Sequence, residues 1–263
     1  MTRSMLLSGL DGLVRLHMDE GSDRAADDLL WERLLRAWSR CVVDGDPEEA
    51  PESVRISRET LGTKKYPSDP DSVMQSLTQQ VTHAFIRQQI GRLFMAHAGG
   101  VSHPVSGASL VYIAPGGTGK TTFTAALAQR YGYLSDETVG VRTDGSITAY
   151  PKPLSLRTSS PHKSEISPDD LGLLLAPPAP RLATLVVLDR GDHITGVEVE
   201  RLGTLDAIEA IAAQTSSLGR LPRALHAVAH LLESTGGAER WRYSEHTELL
   251  AVADERLAEG GSA

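Results

Sequence analysis

SLVYIAPGGTGKTTFTAALAQRY, residues 109–131, holds the reading on which the fold turns. SLVYI (109–113) is a short apolar run rich in β-branched and aromatic residues and predicts a strand, whereas TTFTAALAQRY (121–131) carries its apolar residues at helical spacing. Between them APGGTGKTT, residues 114–122, supplies a glycine-rich turn, a lysine and two hydroxyls. Strand, glycine turn and helix N-terminus in that order make a phosphate cradle, because main-chain N–H groups converge on the anion and the helix dipole adds partial positive charge. Ala114, Pro115, Gly116, Gly117, Thr118, Gly119, Lys120, Thr121 and Thr122 are therefore the candidate nucleotide-binding residues. Lys120 is expected to reach the β- and γ-phosphates of ATP, and Thr121 to offer its hydroxyl to Mg²⁺. The common pattern begins with glycine where this chain has Ala114, a change that is tolerable at negative φ. Gly117 and Gly119 stand where main chain must approach phosphate with no Cβ in the way.

Working outward, the 263 residues suffice for one sizeable α/β domain with an appended segment, or for two small domains. Composition is that of an ordinary globular protein, 40% apolar and 23% charged. The net charge of −8 argues against a general nucleic-acid partner, which needs a basic face. Cys41 is the single cysteine, so an internal disulfide framework is excluded and a reducing, cytoplasmic setting is expected. No run of eighteen apolar residues occurs, so no membrane span is expected.

The predicted organisation is a small strand–helix–strand segment at 1–65 followed by a core at 66–263. LVRLHM (13–18) alternates like a strand, and residues 25–43 put Leu30, Leu34, Trp38 and Cys41 on one helical face. SVRIS (53–57) reads as a second strand, and residues 62–71 as the connection to the core. Residues 71–98 read as one long helix. GYLSDETVGV and SITAYP follow as strands around an Asp-Gly turn, and LATLVVLD and HITGVEVERL as two more. Residues 158–181, rich in proline, read as an excursion or flap; helices are expected over 204–215 and 218–234, then a strand in ERWRYSE and a final helix.

A phosphate cradle alone does not separate kinases, ATPases and switches. No NKxD segment of a guanine-specific GTPase is found. The acidic pair in YLSDET, Asp136 and Glu137, lies one helix and one return beyond Lys120. A returning strand can bring such a pair beside the cradle, one carboxylate as a base for an incoming hydroxyl and the other near Mg²⁺.

From about residue 93 to 156 the chain resembles the HPr kinase/phosphorylase family and its smaller kinase relatives, some of which modify peptide natural-product precursors. In that family a histidine-bearing strand precedes the P-loop, its helix and a strand ending in an acidic pair. Here FMAHAGGV carries His97, the loop carries Lys120 and Thr121, and YLSDETVGV carries Asp136 and Glu137. The resemblance implies an α/β P-loop kinase core, with Asp136 accepting the proton of a serine hydroxyl, Lys120 clamping phosphate and His97 an active-site neighbour. It also implies a homo-oligomer. A further metal-binding glutamate of the family falls on Ser155 here, and the basic residue before the C-terminal helix falls nearest Arg201, with Arg157 the other candidate.

Two side candidates remain. Asp189 ends an apolar strand in the manner of a second nucleotide-binding motif, and His226 and His230 stand four apart on a predicted helix without a third ligand. The acceptor stays open between a peptide or protein serine and a free small-molecule alcohol. A nucleotide-gated binding module without phosphoryl transfer is the alternative from another class.

Overall fold

The computed structural model describes residues 2–20, 23–56, 69–158 and 162–260. They form two compact units, Met1–Gln89 with Tyr150–Gly172, and Ile90–Ala149 with Leu173–Ala263. The division differs from the sequence boundary at residue 65, and the reason lies in the long helix.

In the first unit, β1 (Thr2–Gly9) and β2 (Gly12–Asp19) form an antiparallel hairpin, turned through Leu10 and Asp11 at φ 47° and 57°. Helix α1 (Arg24–Ala37) follows, its first turn capped by Asp23, which accepts from the Ala26 N–H at 3.1 Å. Then come β3 (Val42–Val43) and β4 (Glu52–Ile56), giving a sheet of order β3-β1-β2-β4. The helix predicted over 25–43 thus ends early: Val42 and Val43, β-branched, pair with Leu7 and Leu6 instead. Trp38 and Cys41 are buried beyond the helix end, with Leu34. Strand β1, which the sequence reading did not foresee, covers the other edge of β2. Helix α2 (Pro70–Gln89) buries Val73, Leu77, Val81 and Phe85 in this unit's core, so it belongs with the N-terminal sheet. The predicted connection over 62–71 lies mostly outside the described residues.

The second unit begins with β5 (Phe94–Ser102), β6 (Ala108–Ile113) and helix α3 (Lys120–Leu127). The helix read over 71–98 therefore stops at Gln89, and FMAHAGGVS is a strand paired on both edges. β7 (Gly132–Ser135), β8 (Thr138–Val141) and β9 (Ile147–Thr148) follow. The chain next gives the first unit a hairpin, β10 (Leu154–Leu156) and β11 (Ser164–Ile166). Residues 159–161 of the predicted flap lie outside the described residues; the rest divides between the two units. β12 (Arg181–Arg190), β13 (Glu198–Arg201), α4 (Thr204–Ala212), β14 (Thr215–Ser216), α5 (Ala224–Ser234), β15 (Ala238–Tyr243) and α6 (Leu249–Gly260) complete the second unit. Helix α5 starts six residues later than predicted, after Pro222, because proline lacks the N–H that a continuing helix needs.

The described strands of this unit form a mixed sheet of order β13-β15-β12-β6-β5-β8-β9, with β7 and β14 also on β5. β6, β12 and β15 are parallel, the arrangement expected when helices cover a sheet, and β5 is antiparallel to β6. Tyr112 of β6 lies opposite Gly99 of β5. A Cβ on Gly99 would stand 2.2 Å from Cε2 of Tyr112 and 2.6 Å from Oγ1 of Thr124 on α3. That missing methyl lets the phosphate-loop helix sit down on the sheet. Gly99→Ala is expected to destabilise the protein by about 1–3 kcal/mol through overpacking, read from the midpoint of denaturant unfolding.

Candidate active site

The phosphate loop leaves β6 at Ala114, which is fully buried, and enters α3 at Lys120. Gly117 and Gly119 have φ of 87° and 94°, and a Cβ added at Gly116, Gly117 or Gly119 would meet nothing within 4 Å. Gly117 and Gly119 are thus fixed by backbone conformation, and the space over the loop is open to a ligand. Gly119 caps α3 with no side-chain hydrogen bond, and no acidic residue occupies the first turn. The leading N–H groups of the helix therefore lack a capping side chain, the condition that suits an anion. Thr121 is half-buried and Thr122 exposed at this end.

The loop is held from both sides. The Thr118 hydroxyl donates to the Pro115 carbonyl at 2.9 Å, and the Tyr243 hydroxyl at the end of β15 donates to the Thr118 carbonyl at 2.6 Å. Burial raises the Tyr243 phenol above its ordinary range, so it stays a neutral donor. Lys120, only 6% exposed, donates through Nζ to the carbonyls of Ala114 at 2.6 Å and Pro115 at 3.0 Å. Behind it, the hydroxyls of Tyr112 and Thr124 lie 2.5 Å apart, and Thr124 donates to the Lys120 carbonyl at 2.8 Å.

The acidic pair comes to the same place through β5. β7 and β8 run on as one line along β5, with Ser135 opposite Gly100 and Thr138 opposite His97, so Asp136 and Glu137 occupy the interruption between them. The Ala98 N–H donates to the Glu137 carbonyl at 3.0 Å, and Ala98 also lies opposite Ile113, the residue before the loop. Two strand spacings, about 10 Å, separate the main chain of the acidic pair from the root of the loop. Asp136 is 3% exposed and accepts from the Tyr133 hydroxyl at 3.1 Å; Glu137 is half-buried. Their oxygens and the Thr121 hydroxyl are hard donors of the kind Mg²⁺ prefers. Among the described residues no group of three or more His, Cys, Asp or Glu side chains could hold a metal by itself, which also leaves His226 and His230 without a site.

Arg201 is not brought here. It pairs with Glu239 at the start of β15, the end opposite the phosphate loop, and its guanidinium is spent on the Gly236 carbonyl of the turn before that strand. Asp189 ends β12 on the loop side of the sheet but is exposed and paired with Arg242 at 3.4 Å. Ser155 and Arg157 belong to the first unit, where the Ser155 hydroxyl donates to Glu165 at 2.6 Å across the β10–β11 hairpin. Glu165, buried at 4% exposure, and the two tyrosines that grip Asp136 and Thr118 were missed by the sequence reading. A cross-strand pairing was the only signal for the first, and a position three residues before the acidic pair the signal for Tyr133.

No protein-family model matches the sequence, and no curated protein matches it. Among solved structures the chain has a distant likeness to the Hpr(Ser) kinase/phosphatase from Coxiella burnetii, at 11% identity and a TM-score of 0.33, covering 63% of this chain and 97% of that one. No helix among the described residues is long and apolar enough to cross a membrane.

His97, on β5 between these groups, is partly buried, and burial lowers the pKa of its imidazole. The charge of Lys120 lowers it further, against the opposing pull of Glu137 and Asp136. Because the native pKa lies below the unfolded one, the stabilising contribution is present above about pH 6.5 and is lost as pH falls through the native value. His97→Gln is expected to flatten the loss of stability between about pH 7 and 5, measured by denaturant titration at each pH.

Proposed function

We propose that this protein is an ATP-dependent kinase that transfers the γ-phosphoryl group to a hydroxyl, with a serine of a peptide or protein as the favoured acceptor. The observation that carries the reading is the gathering of Lys120, Asp136, Glu137 and His97 around one strand beside an open glycine cradle. The sequence resemblance to HPr kinase/phosphorylase relatives supports the same assignment and is the source of the serine preference.

In this mechanism the nucleotide phosphates lie along residues 114–122. Lys120 exchanges its two loop carbonyls for the β- and γ-phosphate oxygens, a short reorientation of a flexible side chain. Thr121, with Glu137, would hold Mg²⁺, which when bound neutralises charge on the β- and γ-phosphates. Asp136 accepts the proton as the acceptor oxygen bonds to the γ-phosphorus and the bond to the bridging oxygen of ADP breaks. The Tyr133 hydroxyl holds the Asp136 carboxylate in one orientation during that step. His97, kept neutral by its surroundings, adds no second positive charge beside Lys120. Most of the acceleration comes from positioning and charge neutralisation rather than covalent chemistry.

Lys120→Ala is expected to lower phosphoryl transfer at least about a hundredfold. Asp136→Asn should keep Mg·ATP affinity within about threefold while lowering transfer at least about a hundredfold. Both are measured by mass spectrometry of serine peptides and free hydroxy amino acids after incubation with Mg·ATP, alongside calorimetric nucleotide binding. Full transfer by Asp136→Asn removes the base assignment. Tight ATP binding with no phosphorylated product in either acceptor class turns the reading to a nucleotide-gated binding module.

A further inference from the structure

The arginines of the second unit are almost all engaged. Arg130 pairs with Asp254, Arg242 with Asp189, Arg256 with Glu239, and Arg201 donates to the Gly236 carbonyl; the others, with three exceptions, are similarly spent on carboxylates, carbonyls or hydroxyls. The exceptions are Arg92, Arg220 and Arg223, all exposed and, among the described residues, without a side-chain hydrogen bond or ion pair.

Arg92 and Arg220 are neighbours through the main chain, and Arg223 follows Arg220 by three residues. A Cβ on Gly91 would stand 3.2 Å from the main-chain oxygen of Arg220, which brings Arg92 beside the turn that carries Arg220 and, three residues on, Arg223. The turn is anchored to the strand that carries His97. Ser216 of β14 is opposite Met95 and Thr215 opposite Ala96, and the His97 N–H donates to the Gln214 carbonyl at 2.7 Å.

Local structure does not account for the third arginine. Arg223 has φ 50°, a left-handed conformation that favours glycine, and it caps the N-terminus of α5, where the helix dipole disfavours a cation. Ser217, at the other end of the same turn, is also left-handed at φ 56°. A residue that is locally disfavoured by backbone and by charge, in a chain of net charge −8, is expected where function requires it.

We propose that Arg92, Arg220 and Arg223 form a docking patch for a carboxylate-rich stretch of the acceptor peptide. The proposal rests on the kinase reading for the hydroxyl alone. Arg92 lies two residues before β5 begins at Phe94, and from there to His97 the strand rises about 10 Å at roughly 3.3 Å per residue, so the patch stands about 10–16 Å from His97. An extended peptide with its serine at Asp136 would therefore meet the arginines with acidic side chains about three to five residues from that serine. The net negative charge of the whole chain repels a long polyanion while leaving a short acidic segment free to use this local exception. A peptide is therefore favoured over a nucleic acid.

The test compares a fluorescent peptide bearing one serine, with glutamates three to five residues to either side, against the same peptide with glutamines, by anisotropy at low salt on the full chain. The wild type is expected to bind the acidic peptide about tenfold more tightly, the sum of three modest exposed ion pairs. The triple variant Arg92→Gln, Arg220→Gln, Arg223→Gln should lose that preference and keep its Mg·ATP affinity. Arg220→Gln alone should lose part of it, and Arg220→Lys should retain it. Equal binding of the two peptides by the wild type, an undiminished preference in the variants, or tighter binding of a single-stranded DNA of matching charge would each overturn the proposal. Charge-dependent binding without phosphorylation of the bound serine would leave the patch standing and remove the kinase reading instead.

Discussion

Everything in the candidate site hangs on one strand whose two edges are both occupied. Over residues 94–97 β5 lies between β8 and β14, and over residues 98–102 between β6 and β7. Buried main-chain donors and acceptors must all find partners, so a strand with four neighbours can shift only if all four shift. That constraint fixes the height of the acidic pair relative to the phosphate loop: Ala98 is bonded to Glu137 on one side and lies against Ile113 on the other. The close approach at Gly99 then sets how near α3 and its lysine come to the same plane.

The chemistry depends on keeping charge inside a nearly dry site. Lys120 and Asp136 are both buried, and an ion removed from water survives only where fixed dipoles replace its hydration. Two loop carbonyls supply such dipoles to Lys120, and the Tyr133 hydroxyl supplies one to Asp136. Burial also raises the Tyr112 phenol, which keeps it protonated within the buried hydroxyl pair it forms with Thr124. The hydroxyls around the site thus act as fixed donors and acceptors and do not add charge of their own.

The phosphate loop was legible because its residues are adjacent in the chain and each is demanded by a local cause, positive φ at Gly117 and Gly119 or the strand before and the helix after. Asp136 and Glu137 were legible through spacing, although the gap they open between β7 and β8 was not, since a bulge depends on the partner strand. Residues 90–98 misled for a related reason. The apolar rhythm of α2 continues into FMAHA, and only the sheet neighbours on both sides convert that stretch to a strand. Arg201 was a candidate in the sequence, yet its guanidinium is taken by a turn carbonyl that no spacing reveals. The first unit was the least legible part, because its core is assembled from two separated stretches and its final ring, Tyr150, arrives from far along the chain.

That last insertion has a consequence for synthesis. Tyr150 packs its ring 5.2 Å from Phe85 and 6.4 Å from Trp38, with its hydroxyl 2.9 Å from that of Thr82. A ribosome releases Met1–Gln89 well before Tyr150–Gly172, with all of β5 to β9 emerging in between. During that interval the nascent N-terminal sheet and helices carry an unfilled aromatic slot. The chain therefore cannot mature strictly from its beginning to its end: the half made first must wait for a piece of the half made later.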